Sequence, residues 1–89
     1  MVDQQTVKQL LEEKGYTVSG SELYTINHPS YGLPLGVVWD DGRIGLANYS
    51  PITRVEDHFK SIARIARQHS IPLTTYDCNI AKLLGIEPQ

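Results

Sequence analysis

The amino-acid sequence predicts an α+β fold, a two-layer sandwich in which an antiparallel β-meander of three to four strands packs against helices. Apolar residues at helical spacing near both ends of the chain, and short β-branched and aromatic runs between them, indicate this arrangement. An Asp-Gly pair flanked by apolar segments is typical of a β-hairpin. The predicted order is α-β-β-β-β-α-(β)-α, within a single domain of residues 1–89.

The first helix is predicted between a capping residue and a glycine. The carboxylate of Asp3 can accept hydrogen bonds from the first turn, and Gly15 suits the position just after the last turn. Val7, Leu10 and Leu11 form one apolar stripe along the helix. We therefore expect one face of this helix to be buried.

Two short strands are predicted next, at residues 16–18 and 22–26, around a glycine-containing turn at 19–21. Residues 27–32 hold a proline and a glycine, and they are predicted to form a loop.

The clearest hairpin signal joins residues 35–40 to 43–47 through Asp41-Gly42, as a two-residue type I′ turn. This turn would place Trp39 opposite Ile44, and it predicts an inward face consisting of Leu35, Val37, Trp39, Ile44 and Leu46. The opposite face would carry the small residues Gly36, Val38, Gly45 and Ala47, which let a backbone, a helix or a small ligand come close.

A second helix is predicted from a capping box of Thr53 and Glu56 to about His69. Its buried stripe would be Val55, Phe59, Ile62, Ala63 and Ala66. Residues 71–75 are either a short strand or an extended connection. A last helix, near residues 76–84, would end at Gly85.

Composition and charge exclude several classes of protein. The net charge of −2 argues against a dedicated polyanion binder. The longest apolar run, residues 37–39, is far too short to cross a membrane, and the first residues lack the blocks of a signal peptide. A single cysteine cannot form an internal disulfide or a cysteine-rich zinc site. We expect a soluble cytoplasmic protein with no cofactor, no metal and no membrane partner.

Histidines are the residues best suited to acid–base chemistry at neutral pH. His58 and His69 lie about 16 Å apart along one predicted helix, so they cannot share a site. His28, in the predicted loop beside Tyr24 and Tyr31, is the best candidate of the three, because loops often carry function. The sequence contains no complete set of catalytic residues, so it favours a protein that is not an enzyme. His28, Tyr24 and Tyr31 are therefore candidate binding residues only.

A basic stripe is predicted on the second helix. Lys60, Arg64 and Arg67 recur at helical spacing, and Arg54 belongs to the same segment. Such a stripe can hold phosphates or an acidic partner. It can equally be a solvated helix face on which Glu56 neutralises Lys60.

The first half of the chain resembles the HicA type of toxin in three stretches: residues 7–16, Gly20-Ser21-Glu22, and residues 24–31 with the His28-Pro29 pair. The resemblance implies a fold like that of double-stranded-RNA-binding domains and an mRNA-cleaving activity. The histidine of that family's active site falls at Glu22, which cannot supply the same general base. His28 could in principle compensate, and the resemblance implies the fold more than the activity.

Two functions follow as expectations. The first is a non-catalytic interaction or regulatory module that acts through a protein partner or a homodimer, as in accessory proteins of phages or mobile elements; its aromatic residues exceed what a thin core can bury. The second is a HicA-like RNA-binding protein or ribonuclease of a toxin–antitoxin system. Binding of a small ligand against Gly36 and Gly45 is a further possibility, and it predicts a pocket on that face.

Overall fold

The computed structural model describes residues 2–47 and 55–87. Their elements, in chain order, are α1 (Gln4–Glu13), β1 (Thr17–Gly20), β2 (Tyr24–His28), β3 (Tyr31–Val38), β4 (Ile44–Leu46), α2 (Glu56–Gln68), β5 (Leu73–Thr75) and α3 (Cys78–Leu84). This order confirms the predicted α+β class.

The strands form one mixed sheet in the order β1-β2-β3-β4-β5. The first four make the predicted antiparallel meander, and β5 adds to it in parallel with β4 after the chain has passed through α2. The sheet is therefore wider than predicted, because residues 73–75 form a strand. The buried Thr75 fixes this strand, since its hydroxyl donates to the carbonyl of Leu46 at 2.9 Å.

The core lies between one face of the sheet and the helices. Ile26, Val38 and Ile44 are fully buried on the sheet, and they meet Leu11 of α1 and Phe59 of α2 in one cluster. Every residue of the predicted buried stripe of α2 is buried, and Ile65 joins it. Two layers around one core are what a small amphipathic sheet needs to bury its apolar face.

Helix termini follow the predicted capping chemistry where the structure describes them. Asp3 accepts from the amide of Thr6 at 2.8 Å, and Gly15 follows α1 with φ of +95°. Gly85 ends α3 in the left-handed conformation. Thr53 of the predicted capping box lies outside the described residues, and α2 begins at Glu56.

The predicted loop at residues 27–32 is wrong. Strand β2 extends to His28 and β3 begins at Tyr31, so only Pro29 and Ser30 form the turn. Pro29 lacks an amide hydrogen, but it removes no hydrogen bond from the strand pairing because it lies in the turn. The register shifts between Ile26 and His28, an irregularity of the kind that lets a strand continue past residues that break regular pairing.

The predicted register of the β3–β4 hairpin is also wrong, by one residue. Val38 pairs with Ile44, and the amide of Trp39 donates to the carbonyl of Arg43 at 3.0 Å. The connection is thus a three-residue loop closed by Gly42, whose φ is +91°, rather than a two-residue turn. Because side chains alternate, this slip changes the prediction on the β3 side of the hairpin: Val38 is buried, whereas Val37 and Trp39 lie on the side away from the helices. Leu35, Ile44 and Leu46 are buried as predicted.

Candidate functional site

The face of the sheet away from the helices is uncovered by any helix or strand of the described residues. A row of paired residues crosses its centre: Thr25, Val37, Gly45 and Thr74. We call this surface, with Trp39 and Ala47, the open sheet face. Apart from Trp39, its side chains are small, so this face of the sheet is a shallow surface without a layer of large side chains.

The indole of Trp39, the residue that follows β3, reaches across to Gly45 of β4. A Cβ atom placed on Gly45 would collide with the six-membered ring of Trp39, so glycine is what allows this position. The guanidinium carbon of Arg43 lies 4.8 Å from the ring centroid, which is cation–π distance. Arg43 also holds Asp41, whose carboxylate accepts from Arg43 Nε at 2.7 Å. The indole is therefore held against the sheet from two sides.

Beside Trp39 the open sheet face contains an apolar groove of about 290 Å³, whose lining includes Val37, Gly45, Ala47 and Tyr76. Tyr76 is 74% exposed, the highest value among the large hydrophobic residues of the described chain. Thr74 Oγ1 is buried at this groove with no hydrogen-bond partner in the described residues. The groove is thus lined by two aromatic residues and by one buried hydroxyl that lacks a hydrogen-bond partner in the described residues.

His28 belongs to a cluster that the sequence did not reveal. Its ring lies 4.3 Å from that of His58 between centroids, at an interplanar angle of 38°. The buried Tyr16 packs edge-on against both rings, with centroid distances of 5.3 Å to His28 and 5.7 Å to His58. The predicted loop hid this cluster, because it is the extension of β2 that carries His28 toward α2.

Hydrogen bonds fix both imidazoles of this histidine cluster. The amide of Ser30 donates to Nδ1 of His28 at 3.1 Å, and the Ser30 hydroxyl lies 2.7 Å from the same nitrogen. Nδ1 of His28 is therefore an acceptor, and its proton lies on Nε2. The Tyr16 hydroxyl lies 3.2 Å from His58 Nδ1 and donates to the His58 carbonyl at 3.3 Å.

Burial and a neighbouring imidazole both favour the neutral form of His58. Burial lowers the pKa of His58 below its usual 6.5, and charge on His28 lowers it further, while Asp57 acts in the opposite direction. Burial also raises the pKa of the Tyr16 phenol. At pH 7 the contact between these rings is thus made by a neutral His58 and a neutral tyrosine.

The predicted basic stripe lines a second concave surface, a cleft of about 370 Å³ between α2 and α3 that contains Lys60, Arg64 and Arg67. Two of these cations are engaged. Lys60 Nζ lies 2.8 Å from Glu56, which raises the pKa of that amine, and Arg67 Nη2 donates to the Leu84 carbonyl at 2.6 Å. Arg64 is exposed, with no ion pair in the described residues. Arg54 lies outside the described residues.

The predicted candidate residues are thus divided among separate places. Tyr24 donates to Gln5 of α1 at 3.2 Å, and Tyr31 stands opposite His28 in the sheet and is half-buried. On α2, Lys60 points about 200° away from His58 around the helix axis, so the basic cleft and the histidine cluster are on different sides of it.

Comparison of the chain with protein-family models, curated proteins and solved structures finds no significant match in any of the three. In the described residues no helix has the length and apolar character that crossing a bilayer requires. Within the same residues, no three His, Cys, Asp or Glu side chains converge as metal ligands would.

Proposed function

We propose that this protein is a non-catalytic interaction module that self-associates through the open sheet face. The observation that carries the proposal is the apolar groove between Trp39 and Tyr76, on the face that no described helix covers. Tryptophan and tyrosine are the residues most enriched at the centres of protein interfaces. A half-buried indole and a projecting phenol on one sheet face fit that role.

A second copy of the same chain is the occupant that this face suits best. A twofold interface requires one patch to be complementary to itself. Here the same patch supplies both parts: Tyr76 projects, and the floor of small residues around Gly45 and Ala47 is hollow. Sheets pack face to face about 10 Å apart, close enough for the projecting ring of each copy to enter the groove of the other.

The oligomeric mass in solution tests this proposal. By sedimentation equilibrium we expect twice the 10.0 kDa mass of one chain, because burial of the two grooves stabilises the dimer. Tyr76→Ser should return the protein to a monomer, since it removes the projecting ring. Leu23→Ser is the matched control: Leu23 is also an exposed apolar residue, 46% accessible, but it lies outside the groove.

A wild-type monomer at every concentration that stays in solution would overturn the proposal. So would a dimer that Tyr76→Ser leaves intact, because the contact would then lie elsewhere.

We propose RNA binding as a second candidate function, favoured by the three cations in the cleft between α2 and α3. Binding without cleavage is the form that the side chains support. Glu22, which stands where HicA-type toxins have a histidine, is an exposed carboxylate and offers no imidazole base. Nδ1 of His28 already accepts a hydrogen bond from the Ser30 amide, so only Nε2 is left for a substrate.

The salt dependence of RNA affinity tests this second candidate. For single-stranded RNA each phosphate contact contributes about −0.7 to the slope of log affinity against log salt. Arg64→Ala should weaken binding and reduce that slope by about 0.7. Lys8→Ala, which removes a cation paired with Glu12 on α1, should leave the slope unchanged. No detectable affinity at about 50 mM salt would refute the candidate.

A further inference from the structure

The histidine cluster joins three segments that are distant in the sequence. Tyr16 lies between α1 and β1, His28 is the last residue of β2, and His58 lies in the first turn of α2. Ser30 lies in the two-residue turn that follows His28. Beside them, Gly15 leaves room for the His28 ring: a Cβ atom there would lie 3.9 Å from Nε2. The two imidazoles therefore form a direct side-chain contact between the end of β2 and the beginning of α2.

This contact depends on the protonation state of the rings, because the hydrogen bond from Ser30 requires Nδ1 of His28 to be an acceptor. If His28 becomes an imidazolium, Nδ1 carries a proton, and the Ser30 amide then points a donor at a donor. If His58 becomes an imidazolium, its charge lies 4.3 Å from the neighbouring ring in a half-buried site. A proton on either ring thus weakens a contact, and protons on both rings add like-charge repulsion.

The surrounding groups do little to compensate such a charge. Tyr16 faces both rings from the chain before β1, and burial raises the pKa of its phenol. Tyr31 stands opposite His28 in β3. Asp57, adjacent to His58 on α2, is exposed and is the carboxylate that favours protonation of His58. Burial and the second imidazole act against that single carboxylate.

We propose that the His28–His58 pair is an acid-sensitive latch between the end of β2 and α2, closed while both rings are neutral and opened by protonation. The pKa of His58 sets the direction in which stability changes with pH. Its pKa is lowered in the folded chain, so the unfolded chain binds the proton first as the pH falls. The stabilisation is complete above the unfolded value of 6.5, and it is lost as the pH falls through the folded value.

Denaturant unfolding of the full chain at pH values from 5 to 8 tests the latch. Below pH 6.5 the unfolding equilibrium constant should rise by up to about tenfold per pH unit for each proton that the unfolded chain binds in excess. His58→Gln should flatten this dependence. His69→Gln, at the exposed end of α2, is the matched control and should keep the wild-type dependence. If His58→Gln retains the wild-type dependence, the latch is refuted.

A second measurement needs no variant and so survives a failure of His58→Gln to fold. NMR titration of the imidazole protons should place the pKa of His58 below its usual 6.5. In the same samples, the protection factor of the Ser30 amide, which compares its exchange with the intrinsic rate at the same pH, should fall on acidification before global unfolding. Titration of His58 at or above 6.5, or a Ser30 protection factor that falls only with global unfolding, would overturn the proposal. Neither outcome depends on whether the chain forms a dimer.

Discussion

At the scale of single residues, Gly45 decides where the only tryptophan of the chain can lie. Its lack of a side chain lets the Trp39 ring rest on β4, and Arg43 then covers the outer surface of the ring. The sequence predicts that a backbone, a helix or a small ligand can approach Gly45 closely, and in the structure the indole of Trp39 takes that place.

Gly45→Ala should destabilise the fold and displace Trp39. The added methyl group has no space beneath the ring, and overpacking of this kind costs roughly 1–3 kcal/mol. Tryptophan fluorescence should shift to the red as the ring moves into water, and denaturant unfolding gives the free energy change.

Gly32→Ala is the control for this substitution, because a Cβ atom at Gly32 meets no atom within 4 Å. Equal stabilities and identical emission spectra for the two variants would show that Trp39 does not rest on Gly45.

At the scale of elements, the helices were predictable and the strand register was not. Asp3 and Gly15 bound α1, and the apolar stripe of α2 names its buried face, because both signals are local and each is repeated along the helix. In the β3–β4 hairpin, by contrast, a difference of one loop residue puts Val38 in the core in place of Val37 and Trp39. Ile44 and Leu46 of β4 stay buried as predicted. The Asp41-Gly42 pair is compatible with two-residue and three-residue loops, and only the contacts of Val38 and Trp39 with the rest of the fold distinguish them.

The candidate site shows the same division between local and long-range information. Helical spacing predicted that Lys60, Arg64 and Arg67 lie along one face of α2, and all three line the same cleft. The ion pair between Glu56 and Lys60 that the same spacing allows is present. The contact between His28 and His58 joins a strand end to a helix across thirty residues, and no periodicity in the sequence encodes such a distance. It became visible only with the extended β2 and the packing of α2.

At the scale of the whole molecule, the helices and the sheet share one core, and the sheet's second face is left with aromatic side chains. Antiparallel sheets can expose one face to water, and such a face then carries mostly polar residues. Here it carries Val37, Trp39 and the groove that Tyr76 also lines, with Thr74 Oγ1 lacking a partner in the described residues. This combination is what self-association through the open sheet face would use.

The most direct test of that central claim uses Trp39 itself, because it is the only tryptophan and it borders the groove. Acrylamide quenching of its fluorescence should be measured across a dilution series that spans the change from dimer to monomer. We expect quenching to increase on dilution, as the indole loses the cover of the second copy, and to be high at all concentrations in Tyr76→Ser. Quenching that is independent of concentration in the wild-type chain, while its mass changes from dimer to monomer, would contradict the open sheet face as the interface.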